Sequence, residues 1–176
     1  MFTGGLMDNY EIAITGVEIA SKILGIKTPD VRFFVNDDIN KKGINAVFLR
    51  NDNIIGFNET WLESVEWLEV MVTCFHESRH AFQHEVINNR YNGNIKIDST
   101  TKELWVKETS EYKSKFTNSS DETYLMQDME IDAIAFAHKM MLEHFEVKTI
   151  VPDSIRNKVS LKLDNNKLND FFYEDK

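Results

Sequence analysis

Cysteine is almost absent from the sequence, and acidic residues outnumber basic ones. Cys74 is the single cysteine among 176 residues, which excludes an intramolecular disulfide and a metal site built from several thiolates. The net charge is −9 at pH 7, and Lys41-Lys42 is the only adjacent pair of basic residues. Such a chain is poorly suited to the phosphates of nucleic acid or to an anionic membrane surface. We therefore expect neither nucleic acid nor a membrane as a partner.

Long hydrophobic runs are also missing. No apolar stretch approaches the roughly 20 residues that a membrane-spanning helix requires. The N-terminal segment carries Asp8, Glu11 and Glu18 where a signal peptide would be apolar. Hydrophobic residues make up 42% of the chain, enough for a substantial core at this length. These features predict one cytoplasmic domain over residues 1–176, with a flexible C-terminal tail from about residue 160.

The spacing of apolar residues predicts an α+β fold that is mostly helical. A first helix should end at Gly25, and short branched or aromatic runs predict strands over 31–35, 44–49 and 54–57. The polar turn Arg50–Asn53 joins the last two strands, and we expect a small antiparallel sheet. Helical spacing then predicts helices over about 64–88, 102–116 and 122–145, and a short one after Pro152.

The segment TCFHESRHAFQHEV, Thr73–Val86, places three histidines within nine residues. His76 and His80 are four residues apart, so on a helix they lie on one face and can bind a single ion. Glu77 projects beside them, where a general base for an activated water would stand. The pair lies at the edge of the apolar row, where imidazoles need a partner. The alternative is a solvated helix face that contains H-E-x-x-H by chance.

A zinc site requires a third ligand from the protein. His84 lies about 12 Å of helical rise from His76, so we expect it at the surface or beside the site. Glu130 is the better candidate, because it shares a helix face with Ala133 and Ala137. An unpaired carboxylate in such an apolar contact would cost several kcal/mol, and a metal removes that problem. The alternative for Glu130 is an ion pair between helices, for example with Arg79.

An H-E-x-x-H helix followed by a helical E-x-x-A glutamate resembles the gluzincin branch of the zincin-like metallopeptidases. The segment E-x-D-A-x-x-F-A, Glu130–Ala137, also resembles the ImmA/IrrE-like peptidases, although Ile134 stands where those proteins usually have asparagine. The resemblance covers residues 76–84 and 130–141, and the order of sheet and helix before them. It implies a zincin-like core with zinc held by His76, His80 and Glu130, and with Glu77 as the catalytic glutamate.

The resemblance implies a zinc-dependent metallopeptidase that cleaves a peptide or protein substrate by means of a zinc-activated water. Its transition state needs a further hydrogen-bond donor, for which Tyr112, Tyr124 and His138 are candidates. Asp132 is a candidate for orienting a ligand histidine without touching the metal; the alternative is that it faces solvent. For Arg79 and Gln83 the pattern predicts only packing or solvent exposure.

Two other functions compete with a peptidase. One is a non-catalytic zinc-binding protein with a regulatory or interaction role, and the other is a helical interaction protein without metal. Glu77 favours an enzyme over the non-catalytic zinc-binding protein. A structural zinc site gains nothing from an unligated carboxylate and is usually closed by a fourth ligand. The second is favoured only if Glu130 faces solvent. The sequence predicts no oligomeric state.

Overall fold

The structure is a computed structural model that describes residues 7–35, 43–111 and 121–163. It confirms a mixed α+β fold in which one helix and a small sheet precede the other helices. The helices are α1 (Asn9–Leu24), α2 (Glu59–Leu62), α3 (Trp67–Ile87), α4 (Ser99–Glu111), α5 (Asp121–Leu125), α6 (Asp128–Phe145) and α7 (Asp153–Lys162). The strands are β1 (Asp30–Phe34), β2 (Ala46–Leu49) and β3 (Ile54–Asn58). Tyr112 and most of the expected C-terminal tail lie outside the described residues. Within those ranges, no helix has the length and apolarity needed to cross a membrane.

Local signals fix both ends of α1. The Asp8 side chain accepts a hydrogen bond of 2.9 Å from the backbone N–H of Glu11, which satisfies one of the donors left free at a helix start. At the other end Gly25 adopts a left-handed conformation with φ of 67°, which glycine reaches without the steric penalty of a Cβ. The predicted end of this helix is therefore confirmed.

The sheet is mixed, so the prediction of an antiparallel sheet is wrong for β1. The strand order is β1-β3-β2, with β2 antiparallel and β1 parallel to β3. The chain reverses direction between β1 and β2 and again between β2 and β3, so β1 and β3 run in the same direction. Because β3 lies in the middle of the sheet, it pairs with β1 in parallel. The turn between β2 and β3 is where the sequence predicts it, with Asn53 at a φ of 52°, a conformation that asparagine tolerates. Strand β2 is therefore at an edge of this sheet.

Helix α3 lies at the centre of the fold and packs against α1, α4, α6 and strand β2. It begins at Trp67 rather than near Ser64, after the short helix α2. Phe75 and Phe82 are fully buried on it, and burying each such side chain contributes about 1.5–3 kcal/mol. This burial on several sides fixes the helix that carries the H-E-x-x-H motif.

The single helix predicted over 122–145 is two helices, because the chain breaks at Gln127. Gln127 has an extended conformation with ψ of 138° and provides no side-chain cap. Instead, Glu108 of α4 accepts hydrogen bonds of 2.7 and 3.0 Å from the backbone N–H groups of Asp128 and Met129. A carboxylate there satisfies free donors and interacts favourably with the helix dipole. This contact fixes where α6 begins and places Glu130 in its first turn.

Helices α1 and α3 approach each other closely at Gly16. A Cβ atom at this position would lie 2.8 Å from Cys74 Sγ and 3.0 Å from Met71 Sδ. The Cys74 side chain is short and fully buried, so it has little room to move away. Glycine is therefore required here for packing rather than for backbone conformation.

We expect Gly16→Ala to lower the free energy of unfolding by about 1 kcal/mol, because overpacking outweighs the better helix propensity of alanine. Chemical denaturation measures this change. Cys74→Ala removes the sulfur that the new methyl group meets, so the two substitutions together should destabilise less than the sum of their separate effects. A Gly16→Ala protein as stable as the wild type would contradict the close approach of the two helices.

Candidate metal centre

The structure brings together the three side chains that the sequence predicts as metal ligands. The Nε2 atoms of His76 and His80 are 3.1 Å apart. His76 Nε2 lies 3.4 Å from Glu130 Oε2, and His80 Nε2 lies 3.4 Å from Glu130 Oε1. Ligand atoms bound tetrahedrally at about 2.0–2.1 Å stand about 3.3–3.4 Å from one another. The two histidines face different oxygens of Glu130; with one ligand atom from each residue, the three atoms lie within 4.8 Å of one another, and the cluster could hold a metal ion. That the ion is zinc stays a prediction.

Charge in this cluster favours a bound cation. The Glu130 side chain is fully buried; burial alone would raise its pKa, but the two histidines hold the pKa well below its usual value. Burial alone would lower the pKa of His80, but the facing Glu130 carboxylate raises it to about 9. A buried carboxylate with two imidazoles thus attracts positive charge, whether from protons or from a metal.

Two helices supply this cluster, and small residues let them approach. His76 and His80 come from successive turns of α3, and Glu130 comes from the first turn of α6. Ala133 and Ala137 are buried on the facing side of α6, as their spacing predicts. The proposed alternative of an ion pair between Glu130 and Arg79 is wrong, because Arg79 pairs with Asp132 at 2.8 Å.

A groove runs along strand β2 past the cluster. It consists of two neighbouring cavities of about 350 and 270 Å³, which share Ile44, Ala46, Glu77 and Tyr124 in their walls. The first cavity extends along β2 to Arg50 and includes His80 and His84. The second includes Glu69, His76 and Glu130. The accessible side of the ligand cluster therefore opens into a groove bounded by an edge strand.

Glu77 lies where the two cavities meet. Glu77 is 9% exposed and lines both cavities beside the ligand histidines. Across the described ranges, its carboxylate has no hydrogen-bond or ion-pair partner. The carboxylate is therefore available to a molecule in the groove, whereas that of Glu130 is engaged with the histidines.

The candidates for stabilising the transition state lie in different places. Tyr124, on α5, lines both cavities next to Glu77. His138 is buried on α6, and its Nδ1 lies 2.7 Å from Thr149 Oγ1; it is absent from the described walls of both cavities. Tyr112 lies outside the described residues. Of these three, the structure brings Tyr124 to the groove.

Asp132 does not face solvent, so that alternative is wrong. It is 9% exposed and contacts Arg79 and Gln83, but it does not touch either ligand histidine directly. Gln83 lies between Asp132 and His80, and the sequence pattern predicts no such role for it. A signal is nevertheless present, since a residue three positions after His80 lies on the same helix face.

His84 is not part of the ligand cluster. It is partly exposed in the first cavity, where its ring lies 5.9 Å from that of Phe48. Its ring nitrogens lie 3.3 and 3.4 Å from the side-chain amide of Asn88. Partial burial is the main cause that lowers the pKa of His84, and the positive charges of the nearby Arg50 and Arg90 lower it further. The residue therefore belongs to the wall of the groove.

Comparison of the chain with protein-family models, with curated proteins and with solved structures finds no significant match. The function must therefore be inferred from the site itself. Three features of the site bear on it: the cluster of three ligand groups, the Glu77 carboxylate without a partner in the described part of the chain, and the groove beside an edge strand.

Proposed function

We propose that the protein is a zinc-dependent metallopeptidase of the zincin-like, gluzincin type. The observation that carries this proposal is the position of Glu77: its carboxylate lies in the groove next to the three ligands and has no hydrogen-bond or ion-pair partner among the described residues. Two imidazoles and one carboxylate form a ligand set of catalytic zinc sites, in which the fourth position stays open. A structural site would be closed by a fourth ligand. In the part of the chain that the structure describes, three such groups converge.

Each residue has a chemical task in this proposal. When bound, zinc supplies Lewis-acid activation of a water molecule and of the scissile carbonyl. Glu77 accepts the proton of the attacking water and passes it to the leaving amine. Tyr124, which lines the groove, would donate a hydrogen bond to the charge that develops on the carbonyl oxygen. Glu130 compensates part of the positive charge of the centre.

Strand β2 would hold the substrate in an extended conformation. The backbone N–H of Asn58 donates to the carbonyl of Asn45, one position beyond the Ala46–Phe57 pair that begins the register of β2 and β3. Because antiparallel pairing alternates along a strand, the backbone groups of Ala46 and Phe48 point away from β3. Among the described strands, none pairs with this side of β2. An extended peptide can add to an edge strand through main-chain hydrogen bonds. This arrangement supports a peptide, rather than a small molecule, as the substrate.

The second candidate is a zinc-binding regulatory or interaction protein without catalysis. It would use the same three ligands, and the fit of the ligand cluster to a metal supports it equally. A non-catalytic role does not explain the Glu77 carboxylate beside the ligands or the groove, which is why we prefer the enzyme. The helical interaction protein without metal is disfavoured, because Glu130 is fully buried against the two histidines.

We expect the zinc-loaded protein to cleave members of a mixed peptide library, because the groove places an open metal position beside a peptide-binding edge. Mass spectrometry of the products identifies the cleaved bonds. Cleavage should cease after a zinc chelator is added and return when zinc is restored.

The Glu77→Gln protein, purified in the same way, is the control for a contaminating protease, and it should cleave the library about 100-fold or more slowly than the wild type. If the wild type carries one zinc per chain and still shows no chelator-sensitive cleavage, the enzyme proposal is wrong and the regulatory alternative replaces it.

A further inference from the structure

Gln83 is fully buried on α3 and links this helix to α6. Its amide nitrogen donates hydrogen bonds of 2.9 Å to the Met129 carbonyl and 2.8 Å to Asp132 Oδ2. Its amide oxygen lies 2.8 Å from His80 Nδ1. The side chain therefore makes three short contacts, and one of them is with a predicted metal ligand.

These contacts determine the orientation of the Gln83 amide. Both groups beside its nitrogen, a carbonyl and a carboxylate, can only accept hydrogen bonds. The nitrogen must therefore face them, and the oxygen must face His80. Because an amide oxygen only accepts, Nδ1 of His80 carries a proton. In a neutral His80, the lone pair is then on Nε2, the atom that faces His76 and Glu130.

A second pair of residues holds Gln83 in place. Arg79 donates hydrogen bonds of 2.8 and 3.1 Å to the two carboxylate oxygens of Asp132, a two-pronged geometry that restricts both side chains. The Arg79 guanidinium also lies over the rings of Phe82 and Phe136, at 4.3 and 5.2 Å from their centroids. The charge of Asp132 is thus compensated, while Oδ2 still accepts from Gln83.

An amide suits position 83 better than a carboxylate does. A glutamate there would bring a second negative charge to within hydrogen-bond distance of Asp132, without a proton to share. Glutamine instead presents a donor to Asp132 and an acceptor to His80. The residue type therefore matches the two demands that its neighbours make.

We propose that Gln83 is a positioning residue of the metal centre. It holds His80 in the tautomer with a protonated Nδ1, and in the orientation that directs Nε2 to the ion. Asp132 and Arg79 hold Gln83 in turn. This role rests on the proposed zinc centre, but it does not depend on peptide hydrolysis. Hydrogen bonds of this kind typically change metal affinity by about 10–100-fold.

Zinc affinity of the metal-free protein, measured by competition with a chromophoric chelator, tests this role. Gln83→Leu should weaken zinc binding about 10–100-fold. Asn88→Leu is the control, because Asn88, the exposed residue that follows α3, has a side-chain amide that contacts a histidine outside the cluster, His84. It should leave the affinity within about twofold of wild type. Equal affinities for wild type and a folded Gln83→Leu protein would overturn the proposal, as would equal weakening by the control.

A pair of substitutions tests the direction of the hydrogen bonds. Gln83→Glu alone should weaken zinc binding, because two carboxylates then face each other. Adding Asp132→Asn restores a donor opposite the carboxylate, so the double variant should recover most of the lost affinity. A role in packing alone would predict no such rescue. A double variant that binds zinc no more tightly than Gln83→Glu would therefore contradict the proposal.

Nitrogen-15 NMR of the imidazole rings tests the tautomer in the wild-type protein, without any variant. His80 should show a protonated Nδ1 in both the metal-free and the zinc-loaded protein. A protonated Nε2 in the neutral metal-free form would overturn the proposal. A wild type that binds no zinc would contradict the metal centre as well, whereas zinc binding that survives Gln83→Leu contradicts only the role of Gln83.

Discussion

Glu77→Gln should lower peptide hydrolysis by about 100-fold or more, while bound zinc and the melting temperature stay near their wild-type values. Glutamine keeps the size and the hydrogen-bonding capacity of the side chain but cannot accept a proton. Glu77 lies in the groove and is not one of the three ligands that converge, so metal binding should survive. The measurements are kcat/KM on a peptide cleaved by the wild type, and zinc content by elemental analysis.

Glu69→Gln is the matched control for this substitution. Glu69 is also a glutamate of α3 that lines the groove, in the second cavity, and it should change kcat/KM by less than about threefold. If Glu77→Gln loses its zinc, then Glu77 binds or supports the metal. If it keeps both zinc and activity, the proton acceptor is a different group.

These results separate an enzyme from a zinc-stabilised scaffold. In a scaffold the same substitution would leave zinc content and stability unchanged, and there would be no hydrolysis to lose. In an enzyme the ligands and the base can be removed separately, because the base touches the reacting water and not the metal. The structure supports this separation, since the Glu130 carboxylate contacts both histidines, while that of Glu77 lines the groove and makes no ion pair within the described ranges.

The parts of the site that could be predicted from the sequence depend on local geometry. The spacing of His76 and His80 alone places both on one helix face, and Gly25 marks the end of α1 by its conformational freedom. Glu130 could be found because alanines surround it, which makes an unpaired carboxylate there unfavourable. In each case the decisive neighbours are within about seven residues along the chain.

The parts that the sequence did not reveal depend on contacts between distant residues. The break before α6 is stabilised by Glu108, which lies on another helix, so the local pattern around Gln127 predicts continuous helix. The parallel pairing of β1 follows from strand order, which apolar alternation does not encode. The role of Gln83 depends on Asp132, 49 residues later in the chain.

The largest expected effect on the metal itself comes from the three ligands. The purified wild type should carry about one zinc per chain. His76→Ala, His80→Ala and Glu130→Ala should each weaken zinc binding by more than about 100-fold, beyond the loss expected for a residue that acts through a ligand. Each substitution removes one of three ligand groups whose ligand atoms, one from each residue, lie within 4.8 Å of one another. Chelator competition on the metal-free proteins measures these losses.

His84→Ala is the control that decides the third ligand. His84 lies on the same helix and in the same groove, but its ring contacts Asn88 and Phe48 instead of the cluster. Its removal should change zinc affinity by less than about twofold. Full zinc retention in both His76→Ala and His80→Ala would refute the metal centre altogether. If instead His84→Ala lost zinc and Glu130→Ala kept it, the metal would be held by three histidines of one bent helix, and Glu130 would only balance their charge.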